Sequence, residues 1–180
     1  MTKRRALSTR VLLICAAIGV ATGLLSVPWA GLHLVVAVGA VPLYGFILGF
    51  HVLPGVIAQQ VLRTRWVALI THGVAALISI AFVPAMVGGY LLAAVVFGGV
   101  QEGVSAALRY RHWQAWRFLV SSAITGFAVA VPLWFAFDVD QMSPWAGVGF
   151  AAIFVLGPVV WTVIGLGIGG ALRRAGIIRG

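Results

Sequence analysis

One carboxylate, Glu102, stands inside a long apolar run, while the only other acids, Asp138 and Asp140, fall together in a polar stretch. An ionisable group in hydrocarbon is costly to keep, so it marks either a functional site or a paired group. Glu102 lies seven residues before Arg109, and His72 lies seven residues after Arg65. On antiparallel neighbouring helices both would sit about 10 Å above a basic rim, at 1.5 Å of rise per residue. The spacing predicts a Glu102–His72 hydrogen bond or ion pair. Such a pair either locks two helices together or offers a counter-charge to a polar ligand. Gln101 and Ser105 extend a polar stripe beside Glu102. His72, Ala75, Ala76 and Ser79 make a small, weakly polar face, suited to close helix packing or to lining a cavity. Trp29, Tyr90, Trp134 and Trp145 fall near the outer ends of apolar runs. They read as an interfacial aromatic belt or as a stacking pocket for a flat or cationic ligand. Trp161 and Tyr44 lie deeper, as core filler or pocket lining.

Other chemistries lack their residues. A phosphate-binding loop, GxxxxGK[ST], needs a lysine on the phosphates, and the only lysine is Lys3. No HExxH or CxxC occurs, and the histidines are scattered at 33, 51, 72 and 112, so no metal site or catalytic residue is expected. Cys15 is a lone thiol in an apolar run. One intramembrane acid with no nucleophile motif does not suggest an enzyme.

The elements that must carry these residues follow from composition. Hydrophobic residues make up 62% of the 180 positions and charged residues 8%, far below the roughly 25% charge of a soluble domain. Most of the surface must therefore face lipid, and about 20 apolar residues cross a bilayer. Six spans are expected: Val11–Val27, His33–Ala58, Trp66–Val83, Val87–Leu108, Phe118–Phe137 and Trp145–Leu172. A turn at Pro28–Gly31 would place Trp29 at headgroup depth, and Pro42 and Pro54 would kink the second span or make its start re-entrant. The whole of 1–180 reads as one all-α, six-helix membrane domain with short basic tails at 1–10 and 173–180.

The net charge of +9 is a topology signal rather than a nucleic-acid one. The cations fall in four clusters: Lys3, Arg4, Arg5 and Arg10; Arg63 and Arg65; Arg109, Arg111 and Arg117; Arg173, Arg174 and Arg179. Each gap admits two crossings, which puts every cluster, and both termini, on the cytoplasmic side of the cell membrane. The basic start and first apolar run resemble a signal peptide, but the later spans favour uncleaved insertion. The basic inner loop and tail suit anionic lipid. Ala17 and Ala21 form a small-xxx-small pair, overlapped by Gly19 and Gly23, which lets a helix of the core or of a partner subunit approach.

Several stretches carry a resemblance: Leu43-Tyr44-Gly45, Leu53-Pro54-Gly55-Val56-Ile57-Ala58, Val61-Leu62-Arg63-Thr64-Arg65, the run from Ala68 to Ala76, Val100-Gln101-Glu102-Gly103, and Arg109-Tyr110-Arg111-His112-Trp113. Over roughly residues 40 to 115 the chain resembles the YkoE family of substrate-binding (S) components of energy-coupling-factor (ECF) type ABC vitamin transporters. The resemblance implies a subunit that captures a vitamin-like solute, thiamine or its hydroxymethylpyrimidine precursor, from outside. It implies a separate membrane coupling (T) subunit and separate cytoplasmic ATPase subunits. It implies docking to the coupling subunit through Ala17 and Ala21, and an outer pocket in the regions of Tyr90, Trp134 and Trp161. Family members commonly carry a glutamate where His72 stands and Gln-Gly where Gln101-Glu102 stands, so an acid has changed spans. Two other functions fit the residues alone: a self-contained proton-coupled carrier using Glu102 and His72, and a non-transporting membrane scaffold.

Overall fold

The computed structural model describes residues 7–176; Lys3, Arg4, Arg5 and Arg179, and with them most of the basic tails, lie outside the described residues. Among these, regular structure is helical throughout. The helices are α1 (Thr9–Gly39), α2 (Tyr44–Gly49), α3 (Leu53–Leu62), α4 (Val67–Phe82), α5 (Val87–Ala107), α6 (Ala115–Ala136) and α7 (Pro144–Arg174). Five stretches are long and apolar enough to cross a membrane: Thr9–Ala37, Val41–Leu62, Pro84–Ala107, Ala115–Ala136 and Pro144–Arg174. α4 is apolar but shorter, at 16 residues.

Two expected boundaries move. The first helix does not turn at Pro28–Gly31. Ser8 accepts from the Val11 amide and caps its start, and it then continues through Pro28 to Gly39. Trp29 is consequently carried into the protein, where its ring stacks on Phe50 at 5.2 Å and meets Trp161 edge-on at 5.5 Å. Burial against two aromatic rings outweighs the local turn signal of the Pro28-Trp29 pair. The second crossing starts at Val41 rather than His33 and is segmented. Short 3-10 turns at Val41–Leu43 and Phe50–Val52 flank α2, and Pro42 and Pro54 sit at the starts of the first of these turns and of α3. The irregularity expected from the prolines is present.

α1 and α4 run side by side because Gly19 and Gly23 leave no side chain between them. A Cβ at Gly19 would lie 2.7 Å from Val74 Cβ, and one at Gly23 would lie 2.7 Å from the Ala75 carbonyl oxygen. Ser26 and Ser79 share a 2.6 Å hydroxyl contact across the same seam. Ala17 and Ala21, two residues before these glycines, face outward and are exposed. A second close crossing seats α2 on α7, where a Cβ at Gly49 would stand 2.7 Å from the backbone at Gly157 and Pro158. α4 also packs on α5, α5 on α6, α6 on α7 and α3 on α7.

Candidate functional site

Glu102 and His72 do not pair. Successive residues on a helix point about 100° apart, so Gln101 and Glu102 serve different neighbours. His72 Nε2 lies 3.0 Å from Gln101 Oε1, and Gln101 Nε2 donates to the Val52 carbonyl at 3.0 Å. Gly55 leaves the space this arrangement fills, since a Cβ there would collide with the Gln101 side chain and lie 2.9 Å from His72 Nε2.

Glu102 instead turns to the start of α4. Its Oε1 accepts from the Trp66 amide at 2.5 Å and its Oε2 from the Ala68 amide at 3.3 Å. Trp66, at the cap position, offers no side-chain hydrogen bond of its own. The carboxylate therefore does from α5 what an N-cap residue does locally, and its charge faces the positive end of the helix dipole. Gln59 Nε2 reaches Glu102 Oε2 at 3.3 Å and Ser105 Oγ at 2.9 Å. Gln59 Oε1 accepts from both terminal nitrogens of Arg117 at 3.2 Å, and Arg117 also donates to Ser105.

The basic cluster of Arg109, Arg111 and Arg117 predicts an inner loop at Arg117. In the structure α6 has already begun at Ala115, and Arg117 is fully buried. Its guanidinium lies 4.7 Å from the Trp113 ring and 3.9 Å from the Phe118 ring. Gln59 and Arg117 thus join a polar knot that sequence reasoning missed. A polar residue three before the end of a span was the available signal for Gln59.

Two loops are tied to this knot. Arg63 and Trp66 have φ of 48° and 68°, and Arg109 and Tyr110 have φ of 53° and 56°. Each such non-glycine residue costs on the order of 1–2 kcal/mol. The Tyr110 amide donates to the Ser105 carbonyl at 2.8 Å, and the Tyr110 phenol is pushed up to about 12 by burial first and by nearby Glu102 second. The Arg65 guanidinium lies over its ring at 5.1 Å.

The cavity-forming residues lie elsewhere. Between α1, the segmented second crossing, α4 and α5, a small chamber of about 20 Å³ is lined by Thr22, His51, His72, Ser79, Tyr90 and neighbouring apolar groups. A second space of about 70 Å³ shares His51, Tyr90 and Ala93 and adds His33, Tyr44, Leu48, Met86 and Gly89. It extends toward the start of α5, away from the basic loops. His33 and His51 face each other with Nε2 atoms 3.4 Å apart and rings stacked at 5.5 Å. Tyr44 meets His33 edge-on at 5.4 Å. Two buried polar atoms here have no partner, the Tyr90 hydroxyl and His33 Nδ1. An unsatisfied buried group of this kind costs about 1–3 kcal/mol, which a suitable ligand would recover.

The aromatics grouped by sequence separate in space. Tyr90 lines the chamber. Trp134 lines a different cleft with Asp140, Met142 and Gly147 near the α6–α7 loop, and meets Phe150 edge-on at 5.7 Å. Trp161 packs among Trp29, Phe46 and Phe50 and donates its ring N–H to the Phe46 carbonyl at 2.9 Å. Trp145 is 84% exposed, as a belt residue would be. Among the described residues, no group of three or more His, Cys, Asp or Glu side chains is placed to hold a metal ion.

Five apolar stretches long enough to cross a membrane, with a small polar chamber between α1, the second crossing, α4 and α5, mark a multi-pass membrane protein. The chain belongs to the family described as ABC-type cobalt transport system, permease component, whose model matches residues 10–128. Its fold is similar to a solved structure titled as an S-component of an ECF transporter, with a TM-score of 0.78 at 18% identity, covering 95% of this chain and 88% of that one. No curated protein matches.

Proposed function

We propose that this chain is the solute-capturing S component of an ECF-type ABC importer, with six crossings, both termini in the cytoplasm, and ATP hydrolysis left to separate subunits. Family membership and the S-component fold support the role. The missing lysine-bearing phosphate loop supports the division of labour. The exposed Ala17–Ala21 face of α1 is the surface offered to the coupling subunit.

The observation that carries the capture role is the chamber itself: two unpartnered buried polar atoms, on Tyr90 and His33, beside the stacked His33–His51 pair. Aromatic faces with free hydrogen-bonding edges suit a flat heteroaromatic ring. A pyrimidine such as hydroxymethylpyrimidine, or thiamine that contains one, is the substrate class we favour. In this reading Tyr90 and His72 contact ligand, and Gln101 holds His72 in place. Spaces of about 20 and 70 Å³ fall short of the few hundred cubic ångströms a ligand pocket needs. Entry therefore requires the start of α5 to move away from α2.

Cobalt as cargo is a second reading. The family description supports it, as does the 3.4 Å separation of the His33 and His51 Nε2 atoms, which fits two ligands on one ion at about 2.0–2.1 Å. The lack of a third ligand among the described residues counts against it.

Thermal stabilisation of the purified protein against thiamine, hydroxymethylpyrimidine, other vitamins and Co²⁺ tests the assignment, since a ligand of the folded state raises the midpoint as RT ln(1 + [L]/Kd). A shift with a pyrimidine that disappears in His51→Ala is expected. A shift with Co²⁺ alone would transfer the assignment to metal.

A further inference from the structure

At the basic end, the last turns of α3 and α7 enclose a groove of about 390 Å³ lined by Gln60, Gly170, Arg173 and Arg174. We infer that it binds the phosphodiester headgroup of an anionic glycerophospholipid. The groove exists because α7 carries two glycines at this level. Gly169 receives the Gln60 side chain, whose Cγ lies 2.9 Å from where a Cβ would stand, and Gly170 leaves open the floor beside the Arg174 guanidinium. Its charge is one-signed. Arg63, Arg173 and Arg174 are exposed, and none of them meets a carboxylate among the described residues. Arg63 and Arg173 are close enough that Arg173 adds to the burial that lowers the Arg63 pKa. Three like charges at the neighbouring ends of α3 and α7 repel, and a bridging anion relieves that repulsion.

The position selects a lipid over a soluble anion. Arg173 and Arg174 are the last two residues of an apolar helix of membrane-spanning length, and exposed Ile168 stands on its flank just before them. A phosphate at this level has its glycerol beside Gln60, whose buried Oε1 has no hydrogen-bond partner and would accept from a headgroup hydroxyl. The acyl chains then lie along the apolar flank of α7. Neither a free phosphate nor a zwitterionic lipid offers both the net charge and the tail.

The test uses delipidated full-length protein and measures phosphatidylglycerol binding by native mass spectrometry and by thermal stabilisation. Phosphatidylcholine and inorganic phosphate serve as comparison ligands. Phosphatidylglycerol is expected to bind preferentially. Arg173→Gln/Arg174→Gln is expected to weaken it roughly 30-fold, from about fivefold per basic residue near a membrane surface, while Arg111→Gln in the other basic loop leaves it unchanged. Gly170→Leu, which fills the groove without altering charge, is expected to weaken binding too. Equal binding of phosphatidylcholine, equal loss in Arg111→Gln, or stabilisation by inorganic phosphate alone would overturn the inference.

Discussion

Glu102 stands where an acid is most expensive, and its partners explain why it is tolerated there. It accepts from the Trp66 and Ala68 amides and from Gln59, so its charge is spread over three donors. Glu102→Ala orphans these donors and should cost at least about 2 kcal/mol, read as a lower melting midpoint, with ligand affinity preserved in the protein that still folds. Glu102→Gln keeps an acceptor and should cost less. A loss of affinity at unchanged stability would instead make Glu102 a ligand contact. Tyr110 carries a pH signature. Its folded pKa near 12 lies above the ordinary value of 10, so its stabilisation is complete below pH 10 and is lost as pH rises toward 12. Tyr110→Phe should flatten the fall in midpoint over that window. An unchanged slope would show that Tyr110 is not the group that titrates over that window.

Helix packing depends on where the glycines sit. Gly49 faces the backbone of α7, with 2.7 Å available to a Cβ, whereas a Cβ at Gly99 on α5 meets nothing within 4 Å. Gly49→Ala should lower the melting midpoint by forcing α2 off α7. Gly99→Ala should raise it slightly, by up to about 1 kcal/mol of helix propensity. The same sign for both would refute the packing account. α1 divides its small residues between two jobs: Gly19 and Gly23 serve α4, and Ala17 and Ala21 face out. Ala17→Leu with Ala21→Leu should abolish uptake in cells while purified protein still binds solute; lost binding would remove the docking role. The sequence revealed that small-residue seam and the broken second crossing, because glycine spacing and proline are local signals. It did not reveal that α1 runs on past Pro28, because the gain comes from Trp29 packing on Phe50 and Trp161, residues distant in sequence.

At the scale of the molecule, the two ends do different work. The basic end is knotted through Glu102, Gln59, Ser105 and Arg117, and the other half holds the histidine-lined chamber. The sequence indicated the membrane class and singled out His72 and Tyr90, which line the chamber, and Gln101, which meets His72. It did not indicate His33 and His51 as a pair, because they come from separate crossings whose register only the fold sets. Nor did it separate Tyr90 from Trp134 and Trp161, which share an outer or deep position but not a cavity. The central claim is that solute is captured beside His33, His51 and Tyr90. The most direct test is calorimetric titration of the best pyrimidine ligand into wild-type protein, Tyr90→Phe and Trp134→Phe. The chamber account predicts at least a tenfold rise in Kd for Tyr90→Phe, about 1.4 kcal/mol for one lost buried hydrogen bond, and no change for Trp134→Phe. Affinity lost in Trp134→Phe and kept in Tyr90→Phe would place the solute in the cleft between α6 and α7 and contradict it.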